Sequence, residues 1–193
     1  MAASNQEDKR IRRTKRILEQ SLMELLEQKP LKDITVRDLT MLADINRGTF
    51  YAYYSDIYDF VQKLEDGYFE RFVELMNAHG DETVFRQTRS FLLDMFTFIQ
   101  NNSKVVRILL GENGDGSFRE KLIAVVREKC HADWIADKSE FAGTEKEFDY
   151  RYAFVTSGCI GLIREWVSHG CTDSVSEMTD LTEKLIRQGG MST

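Results

Sequence analysis

Three observations predict an all-α fold for this chain of 193 residues. Apolar residues recur at spacings of three and four through most of the sequence, which is the period of an amphipathic helix. Strict alternation of apolar and polar residues, the pattern typical of a half-buried strand, is almost absent. Pro30 is the only proline, so a helix can run uninterrupted nearly everywhere else.

The first predicted helix spans about residues 10 to 28, with Leu18, Leu22 and Leu25 as its apolar stripe. Pro30 ends this helix, because the residue before a proline is pushed out of the helical conformation.

A second helix is predicted after Thr35, a residue type that caps helices well. Asp38 stands three residues further on, at the position of the acid in a capping box. The inner face of this helix is expected to comprise Val36, Leu39 and Leu42.

Residues 44–45 are predicted to form a turn, after which Asn46 caps a short third helix. A fourth helix begins at Ser55 or Asp56 and ends near Gly80, a natural C-terminal stop. It is long enough to connect two domains. Its apolar side comprises Ile57, Phe60, Val61, Leu64, Tyr68, Phe72 and Leu75.

Five more helices are predicted, over residues 82–101, 103–111, 117–137, 145–169 and 174–189. The glycine-rich stretch at residues 111–117 is expected to be a loop. We therefore expect an N-terminal three-helix domain with a helix-turn-helix, residues 10–70, and a C-terminal helical bundle, residues 71–193.

Composition excludes several classes of protein. A hydrophobic content of 42% and a charged content of 30% fit a globular chain rather than a disordered one. No apolar run approaches the ~20 residues that span a membrane, so no membrane partner is expected. The N-terminus has no apolar signal core, and the three cysteines form no close pairing motif, so we expect a reduced, cytoplasmic protein.

The net charge of −6 is unevenly distributed. Residues 1–63 hold eleven Lys/Arg and ten Asp/Glu, a net of +1, whereas residues 64–193 hold fifteen and twenty-two, a net of −7. Residues 9–16 hold six positive charges and no negative one. Such a basic cluster can neutralise phosphates, although a solvated helix start has the same composition. Its candidate DNA contacts are Arg10, Arg12 and Arg13.

The short third helix carries side chains suited to reading DNA. Arg47 can pair bidentately with guanine or bind phosphate, and Thr49 offers a hydroxyl. Tyr51 and Tyr53 combine a flat ring with a hydroxyl, and Gly48 lets the backbone approach phosphate or another helix closely. Two short helices joined by a tight turn predict a helix-turn-helix. Its inner face is assigned to Ile45, Phe50 and Tyr54.

Three segments of this region carry a family signature. They are residues 35–39 (Thr-Val-Arg-Asp-Leu), 46–51 (Asn-Arg-Gly-Thr-Phe-Tyr) and 53–60 (Tyr-Tyr-Ser-Asp-Ile-Tyr-Asp-Phe). Together they resemble the signature of the TetR (tetracycline-repressor-like) family of transcriptional regulators. The resemblance covers about residues 10–70 strongly, and the rest as a compatible arrangement of helices.

The resemblance implies an all-helical homodimer with its DNA-binding element at the N-terminus. It also implies a larger C-terminal domain that dimerises and usually binds a small-molecule inducer. The DNA-binding candidates on this pattern also include Thr35, Val36, Arg37 and Asn46.

Two positions depart from the family's pattern. Asp44 stands in the turn where the family often has glycine, but Asp tolerates the left-handed conformation better than most residues. Ile57 stands at the start of the fourth helix, where the family often has a phosphate-binding lysine. That contact is not expected here, and the basic cluster at residues 9–16 is available to compensate.

A dimer interface is predicted on the last two helices. Gly158 and Gly161 are three residues apart, and small residues at that spacing let two helices approach closely. Alternatively, the glycines accommodate a neighbouring helix of the same chain. The candidate interface residues are Gly158, Gly161, Leu162, Trp166, Met178, Leu181 and Leu185.

An apolar effector pocket is predicted within the C-terminal domain. The same residue types also suit a plain core, and no charge pattern identifies a ligand. The candidate lining residues are Phe91, Met95, Phe98, Trp134 and Phe154.

The sequence contains no motif that predicts a cofactor, a metal or catalysis. Cys130-His131 and the pair His169 and Cys171 lack the spacing of a structural zinc site. There is no phosphate-cradling glycine loop, nucleophile elbow or paired-carboxylate motif, so we expect no enzyme.

We therefore expect a sequence-specific transcriptional regulator that binds near-palindromic, double-stranded operator DNA as a homodimer. Repression released by an unknown small-molecule effector is the family default. One alternative is an adaptor or activator of the same fold whose C-terminal domain binds a protein partner, and another is an enzyme that uses the C-terminal bundle. An exposed apolar patch without an enclosed cavity would favour the first of these alternatives.

Overall fold

The computed structural model describes residues 2–78, 88–111, 117–136 and 144–188, with side chains over residues 9–78, 89–111, 117–131 and 144–188. Every regular element in this part of the chain is helical, which confirms the predicted all-α fold. The helices fall into two compact units, Met1–Gly67 and Tyr68–Thr193.

The first unit contains three helices and the start of a fourth. They are α1 (Ala2–Gln28), α2 (Val36–Leu42), α3 (Arg47–Tyr51) and α4 (Ile57–Ala78). A 3₁₀ turn, Leu31–Asp33, lies between α1 and α2. The α4 helix continues past Gly67 into the second unit.

Local chemistry sets the helix ends in the first unit. The α1 helix stops at Gln28, two residues before Pro30, as the sequence predicts. Thr35 Oγ1 accepts a hydrogen bond from the Asp38 N–H at 3.1 Å, and the Asp38 carboxylate accepts one from the Thr35 N–H at 3.0 Å. This pair is the predicted capping box. Lys29 Nζ donates to the same carboxylate at 2.8 Å, so one acid holds the end of α1 to the start of α2.

The turn between α2 and α3 is a left-handed helix stop. Asp44 has a φ of +50°. Its N–H donates to the Met41 carbonyl at 3.3 Å, and the Ile45 N–H donates to the Thr40 carbonyl at 3.0 Å. These two bonds form the Schellman pattern that ends many helices. Because Asp adopts this conformation more readily than most residues, the turn forms without glycine.

Leucine and aromatic side chains fill the core of the first unit. The most deeply buried are Leu18, Leu22, Leu39, Phe50 and Phe60. The expectation that Leu42 also faces inward is wrong, because Leu42 is 43% exposed. The α2 helix buries Leu39, Thr40 and Ala43 instead. These three occupy one face of a helix with 3.6 residues per turn, and Leu42 lies to one side of it.

The second unit contains the remaining helices of the described chain. They are α5 (Thr88–Asn101), α6 (Ser103–Leu109), α7 (Ser117–Ala136), α8 (Glu145–Ser168) and α9 (Val175–Ile186). The α5 helix packs mainly on α9, and α6 packs on α8. The predicted end of the fourth helix near Gly80 and the predicted helix start at residue 82 lie outside the described residues, as does most of the predicted loop at 111–117.

The core of the second unit joins α5, α8 and α9. Phe96 and Trp166 meet edge to face, with ring centroids 5.3 Å apart. The Trp166 Nε1–H donates to the Asp173 carbonyl at 3.1 Å, so the buried indole keeps its polar group paired. The buried hydroxyls of Thr179 and Thr182 donate to carbonyls one turn earlier in α9, at 2.8 and 2.7 Å. These bonds let α9 bury two polar side chains without leaving their donors unpaired.

The Asp38 carboxylate is expected to make the stability of the first unit pH-dependent. Hydrogen bonds from Lys29 first, and then from Thr35, lower the pKa of Asp38 from 3.8 to about 2. A depressed folded-state pKa stabilises the fold above the unfolded value, and this contribution is lost as the pH falls through the folded one. Asp38→Asn should therefore be less stable than the native chain near neutral pH. The difference should close between about pH 4 and about pH 2, as measured by urea denaturation at each pH.

Asp33→Asn is the matched control, because Asp33 is an exposed carboxylate in the neighbouring 3₁₀ turn. Its effect should stay small across the same range. A stability difference for Asp38→Asn that is constant from neutral pH to pH 2 would contradict the assigned role of the carboxylate.

Candidate nucleic-acid interface

The α3 helix begins at Arg47 because Asn46 caps it. Asn46 Oδ1 accepts a hydrogen bond from the Gly48 N–H at 2.7 Å. A Cβ added at Gly48 would lie 3.2 Å from the same oxygen, so glycine lets the cap close tightly. Gly48 therefore has a structural use within α3 besides the predicted close approach to phosphate.

Burial divides the side chains around α3 into two sets. Phe50 and Tyr54 are buried, whereas Arg47 is exposed and Tyr51 is 56% exposed. The other residues assigned to the two faces are half-buried: Ile45 on the inner face, and Thr49 and Tyr53 on the outer face. For the two buried and the two exposed residues, burial agrees with the inner and outer faces assigned from the helical spacing of the sequence. Contact of the outer set with DNA stays a prediction.

Aromatic packing fixes α3 on the start of α4. The ring centroid of Phe50 lies 5.4 Å from that of Tyr54 and 6.1 Å from that of Phe60, and Tyr54 and Phe60 are 4.6 Å apart. Lys63 Nζ donates to the Tyr53 carbonyl at 3.1 Å and lies 5.4 Å from the Tyr54 ring centroid. Burial raises the pKa of Tyr54, so its phenol is uncharged at neutral pH. These contacts hold α3 and the segment after it against the first turns of α4.

At the start of α4, where the family often has a phosphate-binding lysine, this chain has a buried apolar side chain. Ile57 is 4% exposed, so it belongs to the core and cannot contact phosphate. The local charges are negative: Asp56 Oδ1 accepts from the Asp59 N–H, and the Asp59 carboxylate accepts from the Ser55 N–H, each at 2.8 Å. The exposed Tyr58 is one group here that could contact phosphate.

Tyr58 is a candidate that the sequence reasoning missed. Its side chain is 60% exposed, next to the buried Ile57. The signal was present in the sequence, because Tyr58 lies off the apolar stripe of α4 that includes Ile57 and Phe60. An exposed tyrosine offers a hydroxyl to a phosphate or a base edge.

The other predicted DNA contacts lie on α1 and at the start of α2. The basic cluster at residues 9–16 is a continuous part of α1, and its Lys and Arg side chains, including Arg10, Arg12 and Arg13, are exposed. At α2, Thr35 and Arg37 are exposed and Val36 is half-buried. The Thr35 hydroxyl oxygen already accepts the capping hydrogen bond.

A cavity of about 180 Å³ lies within the second unit. It brings together three of the predicted effector residues, Phe91, Met95 and Phe98. The prediction for Phe154 is wrong, because this side chain is 68% exposed and points away from the cavity lining. The side chain of Trp134 lies outside the described residues.

The predicted dimer residues divide between the surface and the core. Gly158 and Gly161 are exposed, and a Cβ added at either would meet nothing within 4 Å. Leu181 and Leu185 are 45% and 49% exposed, and Leu162 is half-buried. The prediction is wrong for Trp166 and Met178, because both are buried within the chain. Trp166 packs on Phe96 and so is unavailable to a partner.

The described residues contain no group of three or more potential metal ligands. None of their helices is both long and apolar enough to cross a membrane. The three cysteines are free thiols, and burial raises the pKa of Cys159 to about 11.

The α2 helix, the left-handed turn at Asp44 and the short capped α3 helix together form a helix-turn-helix arrangement. A family model described as a transcriptional regulator C-terminal region, of the TetR type, matches residues 86–188. The chain belongs to the TetR family of transcriptional regulators, which confirms the resemblance found in the sequence. No curated protein matches the chain significantly.

Solved structures of similar fold cover nearly the whole chain. The fatty acid degradation regulator FadR from Bacillus halodurans is 13% identical, with 93% of this chain and 97% of that chain covered and a TM-score of 0.70. A TetR transcriptional regulator from Streptococcus agalactiae 2603V is 19% identical, with 95% and 98% covered and a TM-score of 0.63. The dihydroxyacetone kinase operon activator DhaS is 18% identical, with 92% and 96% covered and a TM-score of 0.59. At these identities the likeness establishes the fold.

Adjacent aromatic residues of α3 should differ sharply in their effect on stability. Phe50→Ala should cost about 3–5 kcal/mol of unfolding free energy, because it empties a fully buried site. Tyr51→Ala should cost about 1 kcal/mol or less, because mainly its edge contact with Phe50, at 5.6 Å, is lost. Urea denaturation of both variants measures the difference. Equal losses would contradict the division into inner and outer faces.

Proposed function

We propose that the chain is a sequence-specific DNA-binding regulator, with residues 10–70 as its DNA-binding domain and residues 71–193 as its regulatory and dimerisation domain. The observation that carries the proposal is the exposure of Arg47 and Tyr51 on a helix that the buried Phe50 fixes to the core of the first unit. A rigid helix that presents an Arg and a Tyr suits direct readout of base edges in the major groove. Membership in a family of transcriptional regulators supports the same role.

In this proposal the contacts divide by their chemistry. Arg47, Thr49, Tyr51 and Tyr53 face the major groove, where Arg47 is the side chain able to pair bidentately with guanine. The exposed basic side chains of residues 9–16 neutralise phosphates, which fixes the register of the protein on the duplex. Exposed groups at the start of α2, Thr35 and Arg37, are suited to additional backbone contacts.

We further propose that the active form is a homodimer. Gly158, Gly161, Leu181 and Leu185 leave exposed apolar and small-residue surface on α8 and α9. A two-fold pairing of this surface would bury it and bring together two DNA-binding domains. A near-palindromic operator follows from that symmetry, with recognition helices about 34–36 Å apart in successive major grooves. Operator DNA in the cytoplasm is the expected partner.

A repressor released by a small molecule is the regulatory mode we propose, because the second unit contains a cavity able to hold one. The second candidate is an activator or adaptor that binds a protein partner. The exposed Tyr150 and Phe154 favour it, and one neighbour of similar fold is titled an operon activator. Transcription from a promoter next to the selected operator, with and without the protein, separates repression from activation.

Alanine substitution of Arg47 or Tyr51 should remove operator-specific binding while the fold is kept. Each lost base contact should cost about 1–3 kcal/mol per recognition helix. The operator is first obtained by selection from random double-stranded DNA, and affinity is then measured by fluorescence anisotropy at several salt concentrations. Lys104→Ala is the matched control, because Lys104 is an exposed cation on α6 of the second unit. Native operator affinity in both variants would overturn the proposal.

Charge placed on the proposed dimer surface should produce monomers. The double variant Leu181→Glu and Leu185→Glu should keep its fold, because both positions are exposed. It should sediment as a monomer at micromolar concentration, while the native chain sediments as a dimer. Ser176→Glu is the control, because Ser176 is exposed on the opposite side of α9. A native chain that is monomeric under these conditions would refute the dimer.

A further inference from the structure

The cavity of the second unit is lined by apolar side chains from several helices. They include Tyr68 and Phe72 of α4, Met95 of α5, Val126 of α7 and Cys159 of α8. No described residue that lines it carries a charge at neutral pH. The described part of the wall therefore offers no group that could neutralise a charged occupant.

Two of the three hydroxyl groups in the described wall, those of Tyr152 and Thr156, donate to backbone carbonyls. Tyr152 Oη donates to the Ile123 carbonyl at 2.5 Å, and Thr156 Oγ1 donates to the Tyr152 carbonyl at 2.8 Å. The Cys159 thiol is uncharged at neutral pH, because burial raises its pKa to about 11. Both hydroxyl protons are used within the protein and the rest of the described wall is almost entirely apolar. A ligand with several polar groups would therefore lose more hydrogen bonds to water than this wall could replace.

The volume sets the size of a suitable ligand. At about 180 Å³, the cavity is somewhat larger than an engineered apolar cavity of about 150 Å³ that stays dry and binds benzene. An alkylbenzene with a short side chain, or a small bicyclic aromatic, is of the matching size.

We infer that the cavity binds an uncharged, predominantly hydrocarbon molecule of about the size of propylbenzene, and that it rejects carboxylates and ammonium compounds of the same shape. This inference rests on the proposed effector-controlled function and names the class of effector. The rejection follows because an ionised group placed against these apolar side chains would lose hydration and gain no counter-charge from any described lining residue.

Binding of three probes with a common shape tests the charge preference. The probes are propylbenzene, 3-phenylpropionate and 3-phenylpropylammonium, each titrated into the full chain at pH 7 by calorimetry. Propylbenzene should bind and raise the melting temperature, and the two ions should bind at least 100-fold more weakly. Equal or tighter binding of either ion would overturn the inference, as would no binding of propylbenzene up to its solubility.

A matched pair of variants on α7 tests the location. Val126→Phe places a ring in the cavity and should weaken propylbenzene binding at least tenfold. Ala124→Phe adds the same ring at an exposed site two residues away and should leave binding unchanged. Val126→Ala is the second cavity variant, in case Val126→Phe does not fold. It enlarges the space, so it should shift the preference from propylbenzene toward butylbenzene. Native affinity in Val126→Phe, or an unchanged preference in Val126→Ala, would refute the site.

Operator affinity measured in the same samples separates this inference from the proposed function. If the chain binds its operator but no propylbenzene, the ligand class is wrong and the DNA-binding role stands. If the chain binds propylbenzene in this site but selects no operator, the ligand class stands and the DNA-binding role fails. Release of operator DNA by propylbenzene would support both.

Discussion

The candidate DNA-binding surface depends on the packing of the buried Phe50 against Tyr54 and Phe60. The α3 helix has only five residues, whereas an isolated helix shorter than about 12–15 residues is marginal in water. Its orientation must therefore come from packing, which Phe50 provides against Tyr54 and Phe60. Arg47 and Tyr51 are four residues apart and share one face of the helix. The burial of Phe50 sets the rotation of α3 about its axis, and in this orientation Arg47 and Tyr51 are exposed.

Local structure accounts for the two departures from the family pattern. Ile57 is buried, and a lysine at this position would have to bring its charged end out to water along the apolar surface. The chain keeps the apolar contact and carries its positive charge on α1, at residues 9–16. At the turn, Asp44 adopts a φ of +50° and completes the helix stop through backbone bonds alone.

Helix positions and caps could be predicted from the sequence because the signals that set them are local. The capping box of Thr35 with Asp38 and the stop before Pro30 depend on residues close in the chain. The choice between two apolar faces of one helix could not be predicted, because it depends on which other helix packs there. Spacing alone does not separate the exposed Phe154 from residues that line the cavity, or the buried Trp166 from residues at the surface.

The two-sided character of α8 links the proposed dimer to the proposed ligand site. Val155 and Cys159 line the cavity, whereas Phe154 and Gly158, each one residue earlier, are exposed. Adjacent residues of a helix point about 100° apart, so one helix serves both surfaces. In a dimer paired through α8, a ligand in the cavity and the partner chain would contact different sides of the same helix. A ligand that displaced α8 by a fraction of an ångström would then alter the pairing directly, since packed interfaces switch between discrete arrangements rather than deform continuously.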